Sequence, residues 1–307
     1  MIRGSRRRAK KFKRVRNFQK FPLKKTIIGF GIGLFLVFIV FVVTIVLSIR
    51  KSVGIGKPIN TVIVYRDGLV FAGFDPSVND LLLVKVPGNL MVNTAGGYGK
   101  YQLKNVYDLG ENEKKADDLV KKTIMKNFHI PIHLVVDCRK ISFNGESVGT
   151  STFSCPKRRN LFSLVNLLYE SIKSGGNTST KDLKDYRAIV TDTTDDGFFE
   201  LSDSIFDKLE FDFSQDMSLD QIVNVRLEIG NSSDLPEYLY DVIKIMGGRV
   251  VEGTSGKDVV SSGCAVFGDD KKFIEDVGRV FGCRVEYEEM VAKEARVSIS
   301  ESYLRSL

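Results

Sequence analysis

The run at residues 27–49, IIGFGIGLFLVFIVFVVTIVLSI, limits what the rest of the chain can be. It is 23 residues long, carries no charge, and eighteen of its residues are Ile, Leu, Phe or Val. As a helix rising ~1.5 Å per residue it extends ~34 Å, enough to cross a ~30 Å hydrocarbon layer with some tilt. The first alternative is a buried helix of a soluble core, but no later segment is long or apolar enough to surround one. The second is a cleaved signal peptide, whose apolar region would be ~7–15 residues and would end at small residues. Here Ser48-Ile49-Arg50-Lys51 offers no such site. A single uncleaved transmembrane helix over residues 26–50 is therefore expected.

The flanks set its orientation. Residues 1–25 form a basic tail with twelve Lys or Arg and no Asp or Glu. The positive-inside bias places this tail in the cytoplasm and everything after about residue 50 outside, in a single-pass protein of the cell membrane. Membrane lipid is thus the first expected partner. Gly29 and Gly33 form a G-x-x-x-G pair that would let two spans pack closely as a homodimer, although glycine is common in spans for other reasons. Without the tail's cations, 33 basic residues stand against 38 acidic ones, a net charge of −5. The high pI is a property of the tail, and nucleic-acid binding by the external part is disfavoured.

After a short linker, residues 61–65, 69–72 and 81–86 read as strands of a β-meander, with turns at Arg66-Asp67-Gly68 and Asp75-Pro76. Residues 93–101, NTAGGYGKY, are Gly-rich and read as a loop. No G-x-x-x-x-G-K-[ST] is present, so a nucleotide P-loop is rejected. Helical character is expected over 103–110. Residues 116–128 are a helix by periodicity, with Leu119, Val120, Ile124 and Phe128 on one face. HIPIH then leads to a strand at 134–137. A second amphipathic helix is expected over 160–174, strands at 186–191 and 197–201, and a short helix at 203–209. The polar stretch 211–219 is the best internal boundary. Beyond it strands and helices alternate: strand 222–229, helix 232–246 stopped by Gly247, strands 249–252 and 264–267, helix 270–281 stopped by Gly282, and strands 283–287 and 296–299. The expected class is mixed α/β, ending in a small α/β sandwich.

Four cysteines outside the membrane allow three disulfide connectivities. Cys264 and Cys283 lie in strands at either end of one helix, and a β-α-β unit brings such strands side by side. Cys264–Cys283 is the favoured pair and Cys138–Cys155 the second. Four reduced core thiols are the alternative. The only histidines, His129 and His133, lie ~13 Å apart on an extended segment, too far to share a metal, and packing or surface roles suit them better. Asp192, Thr194, Asp196, Gly197 and Asp203 partly imitate a calcium loop. The terminal Glu is missing and a strand precedes, so a polar turn is the better reading. Neither a catalytic set nor a metal site is expected from these patterns.

The segments LLLVKVPGNLMV (81–92), GYGKYQLKNVYDLGE (97–111) and DDLVKKTIMKNFHIPIHLVVD (117–137) follow the basic tail and the span in order. Together they resemble the start of a LytR-CpsA-Psr envelope domain. The stretch 223–251 (VNVRLEIGNSSDLPEYLYDVIKIMGGRVV) through 295–303 (ARVSISESY) is similar to the LytR C-terminal domain that often follows it. The resemblance implies a degenerate LytR-CpsA-Psr-like domain over 58–213 and a LytR C-terminal-like domain over 219–307. Catalytic members of that family move a polyprenyl-pyrophosphate-linked glycan onto peptidoglycan, using Arg and Asp around the pyrophosphate and Mg²⁺. Where the family has Pro-Arg-Asp, this chain has Pro87-Gly88-Asn89. Gly88 has no guanidinium to clamp phosphate and Asn89 is neutral. The resemblance therefore implies a non-catalytic binding or scaffold relative, without a cofactor, whose partner is a wall glycan or lipid-linked glycan. The alternative is an active glycopolymer phosphotransferase with Mg²⁺, in which Lys85, Lys100, Lys104, Arg158 and Arg159 supply the phosphate charge.

Overall fold

The computed structural model describes residues 58–75, 77–78, 80–140, 178–186, 189–191, 198–202, 205–213, 222–230, 236–255, 259–290 and 293–307. The expected tail and span, Gly29 and Gly33, Cys155, Arg158 and Arg159, the helix expected over 160–174 and most of the calcium-like turn lie outside these residues.

The meander forms as its alternating apolar residues require. Strands β1 (Ile59–Val64), β2 (Gly68–Asp75) and β3 (Asp80–Pro87) pair antiparallel, Val62 opposite Phe71 and Phe71 opposite Val84. A fourth strand, β6 (Leu134–Asp137), adds parallel to β1, and β7 (Thr178–Asp182) adds parallel to β3, giving the order β6-β1-β2-β3-β7. Both faces are buried. Val62, Val64, Leu69, Phe71, Val84 and Val86 join one core, and Ile63, Tyr65, Val70, Ala72, Leu81 and Leu83 another. That explains why these strands read as nearly continuous apolar runs.

Two helices cover the first face: α1 (Leu103–Asn112) and α2 (Ala116–Phe128). The Gly-rich stretch before α1 corrects the expectation of a loop. It is a hairpin of β4 (Met91–Thr94) and β5 (Gly99–Gln102), joined by a short 3-10 turn. The glycines are confined to its tip, where Gly96, Gly97 and Gly99 take φ of 71°, 77° and 85°. Such values are strained for other residues, and the strand residues on either side remain free to pair. The Asn127 amide, on α2, grips the hairpin, accepting from the Asn93 N–H and donating to the Asn93 carbonyl, both at 2.9 Å. A small pair, β8 (Ile189–Thr191) and β9 (Phe199–Leu201), precedes α3 (Ile205–Phe213). The helix therefore runs into the polar stretch that reads as a boundary.

The second sheet has the order β11-β10-β14-β12-β13, from β10 (Val223–Ile229), β11 (Gly248–Ser255), β12 (Cys264–Gly268), β13 (Arg284–Tyr287) and β14 (Glu294–Ile299). Helix α4 (Glu237–Ile245) connects β10 to its parallel neighbour β11, and α5 (Lys271–Phe281) connects β12 to its parallel neighbour β13. The stops follow the sequence: Gly247 and Gly282 are left-handed at φ 85° and 70°, and the Asp270 carboxylate caps α5 by accepting from the Phe273 N–H. A last helix, α6 (Glu301–Ser306), has no counterpart in the periodicity. Cys264 and Cys283 are bonded, with Cα atoms 4.6 Å apart, as the parallel β12/β13 pairing allows. Cys138 is also disulfide-bonded.

Helix α2 joins the two cores. Leu119, Val120, Ile124 and Phe128 pack under the first sheet, as their spacing predicts. Met125 instead belongs to the second core, the cluster that also holds Leu239, Ile243 and Phe273. Lys121 and Lys122 accompany it. The Lys121 ammonium donates to the Arg279 carbonyl at 3.1 Å. The Lys122 ammonium donates to Ser306 Oγ at 3.2 Å and lies 4.8 Å from the centre of the Tyr303 ring. Helix α2 thus buries two faces where its sequence advertises one.

Candidate functional site

The first candidate is the turn after β3, where the resemblance would place an arginine. Gly88 donates its N–H to the Asp67 carbonyl at 3.1 Å and accepts from the Lys104 N–H at 3.0 Å. A Cβ built on Gly88 would stand 2.4 Å from the Asp67 oxygen and 2.9 Å from Lys104 Cβ. No side chain fits there without moving backbone. The start of α1 points at this turn, but its free N–H groups are already taken: Leu103 donates to the Leu90 carbonyl at 2.8 Å and Lys104 to that of Gly88. A helix N-terminus binds an anion through such groups. Here protein carbonyls occupy two of them.

The three described lysines among those expected at a phosphate stand on three elements. Lys85 shares the face of Leu81 and Leu83, opposite the one that α1 and α2 cover. Lys104 lies at the start of α1. Lys100, on β5, is ion-paired with Glu200 of β9 at 3.0 Å. Arg158 and Arg159 lie outside the described residues.

A cation the sequence reading missed is Arg139, just after β6. Its guanidinium meets Asp108, and it bonds Asp137 at 2.9 Å and Glu111 at 2.9 Å. It also stacks 4.3 Å from the centre of the Tyr107 ring. The hydrogen bond to Asp137, then that to Glu111, hold the guanidinium charged, while burial opposes them. Three carboxylates engage Nε and both terminal nitrogens, so it is a structural clamp between β6 and α1. Burial, with Asp117 and Asp137 nearby, likewise pushes the Tyr107 hydroxyl well above its ordinary pKa. Among the described residues, no group of three or more His, Cys, Asp or Glu is disposed to hold a metal.

The second candidate is a cleft of about 540 Å³ between the β4/β5 hairpin, the end of α2, the β9–α3 segment and the start of α4. Met91, Leu201, Ile205 and Phe206 give it apolar wall. Lys100, Lys126, His129, Glu200 and Glu237 are its charged or titratable lining. Its geometry depends on His129, which ends α2 in the left-handed conformation at φ 56°. Glycine or asparagine is usual at such a position. The imidazole reaches the other lobe, with Nδ1 2.6 Å from Asp241 Oδ2 and the ring packed 5.3 Å from Phe206. Burial raises the Asp241 pKa, against the opposing pull of His129. His133 makes a second crossing. Its Nδ1 accepts from the Asn60 N–H at 3.0 Å, which leaves Nε2 facing Asp276 Oδ1 at 3.4 Å, both side chains buried. The histidines are thus packing residues between the sheets. HIPIH carried a readable signal, since a non-glycine helix end followed by Pro131 implies a pinned chain, but their acidic partners lie over a hundred residues away.

No family model matches the sequence and no curated protein matches it. Solved structures do. One is the LytR-CPS2A-psr family protein YwtF (TagT) with bound octaprenyl pyrophosphate lipid, 12% identical, covering 51% of this chain and 88% of that one at a TM-score of 0.32. Another is TagU of B. subtilis, 12% identical, covering 53% and 99% at 0.35. A third, the Lin1025 protein of Listeria innocua, is 10% identical and covers 53% and 100% at 0.34. Over about half its length, then, the chain is similar to solved structures of the LytR-CPS2A-psr family.

Proposed function

We propose that this protein is a membrane-anchored, extracytoplasmic envelope protein, a non-catalytic relative of the LytR-CpsA-Psr proteins that holds a wall glycan or lipid-linked glycan near the membrane. The charge asymmetry about residues 27–49 and the ordered family-like segments support the anchor and the setting. The observation that carries the non-catalytic reading is Gly88. The backbone has closed on the position where the resemblance calls for a phosphate-binding arginine, and Asp67 and Lys104 occupy the space. Removing one preorganised group that stabilises developing charge lowers rate by ~10²–10³.

The active-phosphotransferase alternative has one observation in its favour: Lys100 and Lys126 share a cleft with Glu200 and an apolar wall. Glu200 neutralises Lys100, which weakens that reading. The test is binding of polyprenyl pyrophosphate to the full-length purified protein with and without Mg²⁺, beside a glycan-transfer assay. Neither Mg²⁺-dependent binding nor transfer is expected, whereas binding of the wall glycan itself is. Measurable transfer would overturn the proposal.

A further inference from the structure

Of the charged groups lining the 540 Å³ cleft, most are already matched. Lys100 pairs with Glu200, and His129 with Asp241. Two are not. Lys126, in the last turn of α2, and Glu237, in the first turn of α4, have no hydrogen-bond or ion-pair partner among the described residues, nor do they pair with each other. Lys126 is half-buried and Glu237 is exposed at the rim. Each complements the dipole of its own helix, worth ~0.3–1 kcal/mol, but that interaction does not require them to face one cavity. They do so from opposite lobes, Lys126 on the helix that ends at His129 and Glu237 on the helix that carries Asp241.

The walls are held in place. The paired hydrogen bonds between Asn127 and Asn93 fix the hairpin to α2. His129, at φ 56° and bonded to Asp241, fixes the end of α2 against α4. The volume lies in the ~300–1,000 Å³ range of small-molecule sites, and such sites favour junctions between lobes. A lysine that lines a cleft without a counter-charge favours an incoming anion, and an unpaired carboxylate at the rim favours a cation. A ligand with one of each satisfies both.

We propose that this cleft is a binding site for a zwitterion of amino-acid or short-peptide type, its carboxylate on Lys126 and its ammonium on Glu237. This does not rest on the glycan-binding reading, and its failure would leave that reading standing. The test is calorimetric titration of the full-length protein with three probes: alanyl-alanine, its N-acetyl derivative and its amide. The free dipeptide should bind, and each capped form should bind roughly tenfold more weakly, as expected for loss of one charge-assisted contact. Lys126→Gln should bind the dipeptide and its amide alike. Glu237→Gln, at an exposed position that leaves packing intact, should bind the dipeptide and its N-acetyl form alike. Absence of dipeptide binding, or equal affinity of the wild type for all three probes, overturns the proposal.

Discussion

The His129 imidazole, at the end of α2, holds Asp241 of α4 at 2.6 Å across the junction of the two lobes. Its backbone is in a conformation that favours glycine. The strain at φ 56° and the cross-lobe hydrogen bond therefore oppose each other in one residue. A double-mutant cycle with His129→Asn and Asp241→Asn should give a coupling energy of about 1–2 kcal/mol in denaturant unfolding. His129→Asn alone should lose less than His129→Ala, because asparagine tolerates the left-handed conformation. A coupling indistinguishable from zero would mean the contact does not join the lobes.

Substitution at Gly88 tests whether this turn can admit any side chain. Gly88→Ala should destabilise the protein by about 1–3 kcal/mol, since its Cβ would meet the Asp67 carbonyl. Gly88→Arg should destabilise at least as much and should gain no affinity for polyprenyl pyrophosphate. Thermal unfolding and a lipid-binding assay on the same variant decide it.

The Cys264–Cys283 bridge spans 19 residues of sequence. Closing a loop of that size stabilises by about 3 kcal/mol through the unfolded state. Cys264→Ala with Cys283→Ala should lower the urea midpoint by a corresponding amount, and added reductant should have correspondingly less effect on the variant than on the wild type.

Lys121 is half-buried against the end of α5, and desolvation lowers its pKa from 10.5 to about 8. Below pH 8 the ammonium is charged in both folded and unfolded chains, and the penalty of burying it is present in full. Between pH 8 and 10.5 the unfolded chain binds more protons than the folded one, so this group's contribution makes stability rise with pH. The span corresponds to about 3 kcal/mol. Lys121→Met should remove that rise. Stability curves of wild type and variant that run parallel from pH 7.5 to 10.5 would refute the assignment.

Several elements were legible from local pattern. The helix at 116–128 matches its predicted bounds, and the stops at Gly247 and Gly282 stand where the residue types place them, while Asp270, expected inside its helix, caps it instead. The hairpin at 91–102 was not legible, because glycines at its tip hid the pairing of residues on either side. Nor was the cleft. Lys126 and Glu237 are 111 positions apart in the chain, and nothing local distinguishes them from ordinary charges on a solvated helix end.

By itself the sequence determines the features that depend on one segment at a time: the apolar length and flanking charge of residues 27–49, the strand and helix periods, and the glycine and aspartate punctuation. Only the tertiary structure decides what α2 does. Its pattern of Leu119, Val120, Ile124 and Phe128 announces one buried face, and the fold buries a second through Lys121, Lys122 and Met125. Lysine is ordinarily a surface residue, and its burial here is tolerated because, beyond the local Lys122–Asp118 ion pair at 3.1 Å, a distant carbonyl, hydroxyl and ring meet the two ammonium groups. Those distant partners come from α5 and α6, and no local period in the chain records where they will be.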